Sequence, residues 1–328
     1  MEAKYYRFIY RSLANGVCCT GSMAGDGKEE DEAFHFLYLG GGSDDCPDGE
    51  ETDESLNGHF HLVIAANFLP VTVRQMVQVL ARCQAEQVLF PKLEAAERNS
   101  LAEKYEKQGD LTKEEIGFVK DPETFLAGKG IEQCEGIGGR EAFRKGNQRF
   151  RIFCVGEGGQ RSLLLYHGSE GTSPQTEECV MNVKPVTPSR SCSPFVDPKN
   201  LNCEMRCMLY NDFTQCKRHN QKNGTYFVDG HLILSTGGAE MNLGEIKEAL
   251  EAEWKKIRFV CLPDENSCHG YMEELKKAGT ADMAQYFMGT EKTEDAVIKE
   301  ILTNHPYRTF ITLDEKAGLC VSGYYVGR

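Results

Sequence analysis

The chain predicts an α+β fold, with largely antiparallel sheets and flanking helices. Three observations point there. Short runs with apolar residues at alternate positions are separated by Gly, Asn, Asp and Pro. Helix-period stretches with capping residues follow some of these runs. Strands and helices alternate too irregularly for a doubly wound parallel sheet.

Taken in order, "YYRFIYRSL" and "GVCCTGS" are two strands joined through Asn15-Gly16, a strong hairpin signal. "AFHFLYLG" (33–40) is a third strand, followed by an acidic loop, "SDDCPDGEETDE" (43–54). "HFHLVIA" is a fourth. A helix is expected to start at Thr72, with Gln75 three residues on as a capping box and Val73, Met76 or Val77, and Leu80 as its apolar stripe. Residues 90–130 read as polar helices. Pro91 opens the first, Thr112 with Glu115 caps another, and Asp121-Pro122 starts a third that ends at Gly128.

The strand pattern returns with "QRFRIFCVG" and "RSLLLYHG", joined through Glu157-Gly158-Gly159-Gln160. Residues 168–200 form a long Pro/Ser/Thr loop. "CEMRCMLYN" (203–211) and "YFVDGHLILS" continue the strands, and a helix is expected from a box at Asn242 and Glu245, with Leu243, Ile246, Leu250, Trp254 and Ile257 as its stripe. In the tail, "IRFVCLPD" is a strand, 267–278 and 293–305 are helices, and "YRTFITLDEKAGLCVSGYYVG" is a hairpin.

The order of strands, long loop, strand and capped helix thus occurs twice. At an offset of 172, Glu32, Leu37, Tyr38, Gly58, His59 and Leu62 meet Glu204, Leu209, Tyr210, Gly230, His231 and Leu234. The expectation is two diverged copies of one strand-rich, helix-ended module. The first spans 1–130 with a helical extension; the second spans 145–328 with the 168–200 loop and an α/β tail.

At 328 residues the chain can bury a full core without metals or disulfides. A net charge of −13 repels nucleic acid and anionic lipid, and no apolar run is long enough to cross a bilayer. The opening "MEAKYYRFIYRSL" lacks the apolar centre of a secretory leader. Of the 14 cysteines, several (Cys83, Cys154, Cys207, Cys261 and Cys320) fall inside apolar patterns, which predicts reduced thiols and a cytoplasmic protein.

Four patterns could carry chemistry. His59 and His61 stand at alternate strand positions, a spacing that lets two imidazoles share one zinc, with His35 on the neighbouring run as third ligand. The repeat alignment sets Cys207 near His231, the minimal pair for a thiol nucleophile and its base, and Cys18-Cys19 is a rival source of thiol. Cys203, Cys207, Cys216 and His219 have zinc-like spacing. A regular strand would nevertheless hold Cys203 and Cys207 about 13 Å apart, too far for one ion. Ser235, Thr236, Gly237 and Gly238 lie between a strand and a helix start, where backbone N–H groups can hold an anion, and "GIGGRE" and "GEGG" are further glycine turns. The bland reading of each is structural: solvated histidines, buried inert thiols and plain turns.

No catalytic signature is complete. The expected function is therefore a noncatalytic protein-interaction or regulatory role, with protein partners, no cofactor, no nucleic acid and no membrane. Its contact surfaces would be the two loops and the 90–130 helices. The alternative is a hydrolase or transferase working through a His59/His61 zinc site or the Cys207/His231 pair.

Overall fold

A computed structural model of the chain describes residues 3–13, 16–25, 34–41, 58–138, 143–145, 150–167, 231–234, 243–251, 254, 257–262, 265–278, 285–288, 308–314 and 318–324. Strands β1 (Ala3–Leu13), β2 (Gly16–Gly25), β3 (Phe34–Gly41) and β4 (Gly58–Ala65) lead to helix α1 (Pro70–Leu80) and strand β5 (Cys83–Pro91). Helices α2 (Ala95–Gln108), α3 (Lys113–Lys120) and α4 (Pro122–Gly128) come next, then β6 (Gln133–Ile137). Strands β7 (Phe143–Lys145), β8 (Phe150–Val155), β9 (Ser162–His167) and β10 (His231–Leu234) precede α5 (Leu243–Leu250) and β11 (Ile257–Leu262). Helix α6 (Glu265–Lys277), β12 (Gln285–Met288), β13 (Arg308–Asp314) and β14 (Gly318–Tyr324) complete the described elements.

These strands form two mixed sheets. The first has the order β14-β13-β1-β2-β3-β4-β5-β6, antiparallel as far as β3 and parallel from there to β6. The second runs β12-β11-β10-β9-β8-β7, antiparallel from β7 to β10 and parallel beyond. Helices together with sheets in which antiparallel pairings form the majority make the α+β class correct.

The buried residues separate into three cores that define four layers. One core joins the faces of the two sheets, with Phe36, Tyr38, Leu62, Ile64 and Leu89 from the first against Phe150, Ile152, Leu163 and Leu165 from the second. A second core lies under α1–α4 on the outer face of the first sheet, and the third under α5 and α6 on the outer face of the second. The layers are therefore helix, sheet, sheet, helix. Each fully buried large side chain contributes roughly 1.5–3 kcal/mol of transfer free energy, so the sheet-to-sheet core is a principal source of stability.

Hydrogen bonds also tie the sheets. At Leu163 the first sheet supplies hydrogen-bond partners. The Leu163 N–H donates to the Ala66 carbonyl at 2.6 Å, and the buried Tyr38 hydroxyl donates to the Leu163 carbonyl at 2.7 Å. Backbone polar groups left buried without partners are costly, which is why the junction is paired this way.

Several local expectations hold. Leu13 pairs with Gly16 across the first hairpin, and Val155 with Ser162 across the second. Thr112 and Glu115 form the reciprocal box that starts α3, at 2.7 and 3.3 Å. The Asp121 carboxylate accepts from Thr124 N–H at 3.0 Å to start α4. The final hairpin forms as β13 and β14.

Others are corrected. Pro91 ends a strand rather than opening a helix; α2 begins after Glu94, which exchanges bonds with Glu97 in a capping box. The α1 helix starts at Pro70, whose fixed φ suits a first helical position, so Thr72 lies inside the first turn and no Thr72–Gln75 box exists. Leu250 ends α5 because Glu251 takes φ 49°, in the left-handed region. Trp254 is buried beyond it, and Ile257 begins β11. The third strand expected at 203–211 and the helix at 293–305 fall outside the described residues.

Candidate functional site

The histidines of β4 sit where the strand changes face. Phe60 belongs to the core beneath the helices, with Val63 and Ala65, whereas Leu62 and Ile64 belong to the core between the sheets. Strict alternation would put Phe60 with Leu62. The neighbouring strand changes face alongside it, since Cys83, Ala85, Val88 and Phe90 meet the helices while Leu89 meets the other sheet. Because both strands slip together, their pairing offset is kept from Phe60↔Ala85 to Leu62↔Gln87. His61 and Glu86 are the residues at the step.

Around this step lies a cluster of imidazoles. His59 and His61 meet edge to face with ring centroids 4.9 Å apart. The His61 ring also lies 5.4 Å from Phe34 and 5.9 Å from His35, on which it stacks. Glu86 extends from β5 to place its Oε1 3.2 Å from His59 Nε2. His59 and Glu86 are largely in solvent, at 44% and 54% side-chain exposure, and His61 is half-buried. One donor atom each from His59, His61 and Glu86 lies within 4.8 Å of the others.

His35 meets the cluster through its backbone as well as its ring. Its backbone N–H donates to His61 Nδ1 at 3.0 Å. An imidazole nitrogen that accepts a bond carries no proton, so in the neutral ring the Nε2 atom carries it. Glu86, which sequence spacing did not suggest, completes the cluster. It stands 25 residues after His61, and only the parallel pairing of β4 with β5 brings the two together.

Of the other expected groups, only some fall among the described residues. His231 opens β10, paired in register with Ile257. Cys207 and the Ser235–Thr236–Gly237–Gly238 turn lie outside the described residues. The glycine turn at 156–159 holds an anion of its own chain, since Gly156 N–H donates to the Glu245 carboxylate at 3.0 Å. Arg151 lays its guanidinium over the Tyr166 ring at 4.5 Å. Cys18, Cys19, Cys83 and Cys154 are buried. Burial pushes the Cys154 thiol up to about 11 and raises Cys83 and Cys134, so none of these three is primed as a thiolate.

A second polar group closes the carboxyl end of β4, where open α/β sheets commonly bind ligands. Asn67 Nδ2 donates to the Gly41 carbonyl at 2.8 Å, and its Oδ1 accepts from Leu69 N–H at 3.2 Å and the Thr72 hydroxyl at 2.5 Å. The Thr72 oxygen in turn accepts from Gly41 N–H at 2.5 Å. These groups are buried and hold one another, tying the end of β3 to the first turn of α1. Gln75, 3% exposed, keeps its Oε1 without a hydrogen-bond partner among the described residues.

No protein-family model matches the chain, and no curated protein matches it. Among the described residues, no helix is long and apolar enough to cross a membrane.

Proposed function

We propose that the chain is a noncatalytic protein-interaction or regulatory protein built from two similar strand-rich modules. The observation that carries this reading is the closure of the β4 carboxyl end. Asn67, Thr72 and Gly41 spend their polar groups on each other there, and the buried thiols at Cys83 and Cys154 are held protonated. Such groups fix a scaffold.

The module reading draws support from topology. In the first sheet β4, β5 and β6 are parallel neighbours joined by outer helices, after the antiparallel β1–β3. In the second, β10, β11 and β12 are parallel neighbours joined through α5 and α6, after the antiparallel β7–β9. The junctions differ, since β4 runs parallel to β3 and β10 antiparallel to β9. Of the three contact surfaces proposed, α2–α4 lie among the described residues, and the acidic loop and the 168–200 loop lie outside them.

Proximity labelling with the full chain tests this. Charge reversal of the exposed Glu103, Glu106, Lys107 and Lys120 on α2 and α3 is expected to remove a reproducible partner while leaving the fold intact. Retention of every partner through that change, and through alanine replacement of both loops, would refute the reading. The hydrolase or transferase alternative draws on one observation, the carboxylate of Glu86 against His59, and would be favoured by turnover that His59→Ala abolishes.

A further inference from the structure

We propose that His59, His61 and Glu86 form a binding site for one divalent transition-metal ion. The site stands independently of the interaction role, and its failure would leave that role untouched.

Spacing is the first argument. A tetrahedral ion bound at about 2.0–2.1 Å holds its ligand atoms roughly 3.3 Å from one another. His59 Nε2 and Glu86 Oε1 already stand 3.2 Å apart, and the third donor lies within 4.8 Å, so turning the His61 ring completes the set. The donors also have the right chemistry. Two imidazoles and one carboxylate suit zinc, nickel, cobalt or copper, whereas calcium and magnesium ask for oxygen throughout. The ligands come from two strands paired side by side, which hold their spacing better than a loop does. The high exposure of His59 and Glu86 leaves the remaining coordination positions to water.

The bond from His35 gives the site its distinguishing property. A neutral imidazole has one lone pair, and that of His61 is taken by His35 N–H. Ligation through Nδ1 would use the same lone pair. Ligation through Nε2 requires the proton to move to Nδ1, which can then no longer accept. Either way the ion displaces His35 N–H, at a cost of roughly a factor of ten in affinity. Metal loading is therefore coupled to the His35 amide near the start of β3, and the His35 ring is not itself a ligand.

The experiment is a titration of the reduced full-length chain with cobalt(II), read by its visible absorption and by amide hydrogen exchange. Wild type is expected to take up one ion with nitrogen- and oxygen-type bands, and exchange at the His35 amide is expected to rise on loading. Affinity should fall at least about tenfold in His59→Ala and in Glu86→Gln, whose side chains are exposed enough to leave the fold intact. In His35→Ala, which keeps the amide and removes only a ring that is no ligand, affinity should fall by clearly less than in Glu86→Gln. The proposal is overturned if wild type binds no better than the His59→Ala/Glu86→Gln double variant. It is overturned equally by a thiolate charge-transfer band, which would place the ion on cysteine, or by His35→Ala weakening binding as much as Glu86→Gln.

Discussion

Removing the hydroxyl of Tyr38 tests how the two sheets are held together. Its O–H donates to the Leu163 carbonyl at 2.7 Å, across the inter-sheet core. Tyr38→Phe keeps the ring among Phe36, Leu62 and Leu163 and takes away only the donor. A buried carbonyl deprived of its donor costs about 1–2 kcal/mol. With a urea m-value of roughly 3 kcal/mol/M, the unfolding midpoint should fall by about 0.5 M at constant m. Tyr38→Ala also empties the ring's place in the core and should cost about 3–5 kcal/mol. Paired urea titrations followed by far-ultraviolet circular dichroism measure both. If Tyr38→Phe moved the midpoint by less than about 0.1 M while Tyr38→Ala collapsed it, the sheets would be joined by packing alone and the hydrogen-bond argument would be wrong.

The β3–α1 tie predicts that Thr72→Val, which keeps shape and loses the hydroxyl shared by Gly41 and Asn67, destabilises by about 1–3 kcal/mol in the same assay. For Cys154 the folded state binds the proton more tightly than the unfolded chain. Its contribution is complete below pH 9.0 and declines toward about pH 11, so wild type should lose stability over that range relative to Cys154→Ala, on the order of 2 kcal/mol. Parallel pH profiles of the two proteins would contradict this. Asp121 has the opposite sign, because its bonds from Thr124 hold the carboxyl below its ordinary value; the cap is complete at neutral pH and weakens as pH falls below about 4. Asp121→Ala should cost about 1 kcal/mol near pH 7, and that difference should shrink in acid. Gly156 has φ 84°, and a β-carbon there would meet the Gln160 carbonyl oxygen at 2.9 Å, so Gly156→Ala should lower the melting temperature, by about 1–2 kcal/mol of stability.

Features written locally were legible in the sequence. The caps at Thr112 and Asp121 and both hairpins rest on residues within a few positions of each other, where side-chain chemistry and turn length decide the outcome. Strand β5 was not legible, because Gln84, Glu86 and Gln87 break its apolar pattern at the exposed rim, and the buried Val88–Phe90 portion ran into an expected helix start at Pro91. Thr72 and Gln75 had capping-box spacing, but Asn67 and Gly41 claim the threonine hydroxyl, and nothing near in sequence announces that competition. At the histidine cluster the pair was visible as His-x-His. The third member was not, since Glu86 reaches His59 only through the pairing of two parallel strands that change face together.

The first sheet is completed from the far end of the chain, with β13 paired along β1 from Tyr5↔Asp314 to Arg11↔Arg308. On the ribosome, at about 5–20 residues per second, roughly 15–60 s separate the appearance of β1 from that of its outer neighbour. Throughout that time the β1–β2 hairpin offers an open strand edge, the kind of surface on which nascent chains pair with one another. Holding that edge apart from other chains until residues 308–314 arrive is a kinetic demand created by topology alone, and it makes the yield of folded protein sensitive to synthesis rate and chain concentration before any side chain of the finished core is in place.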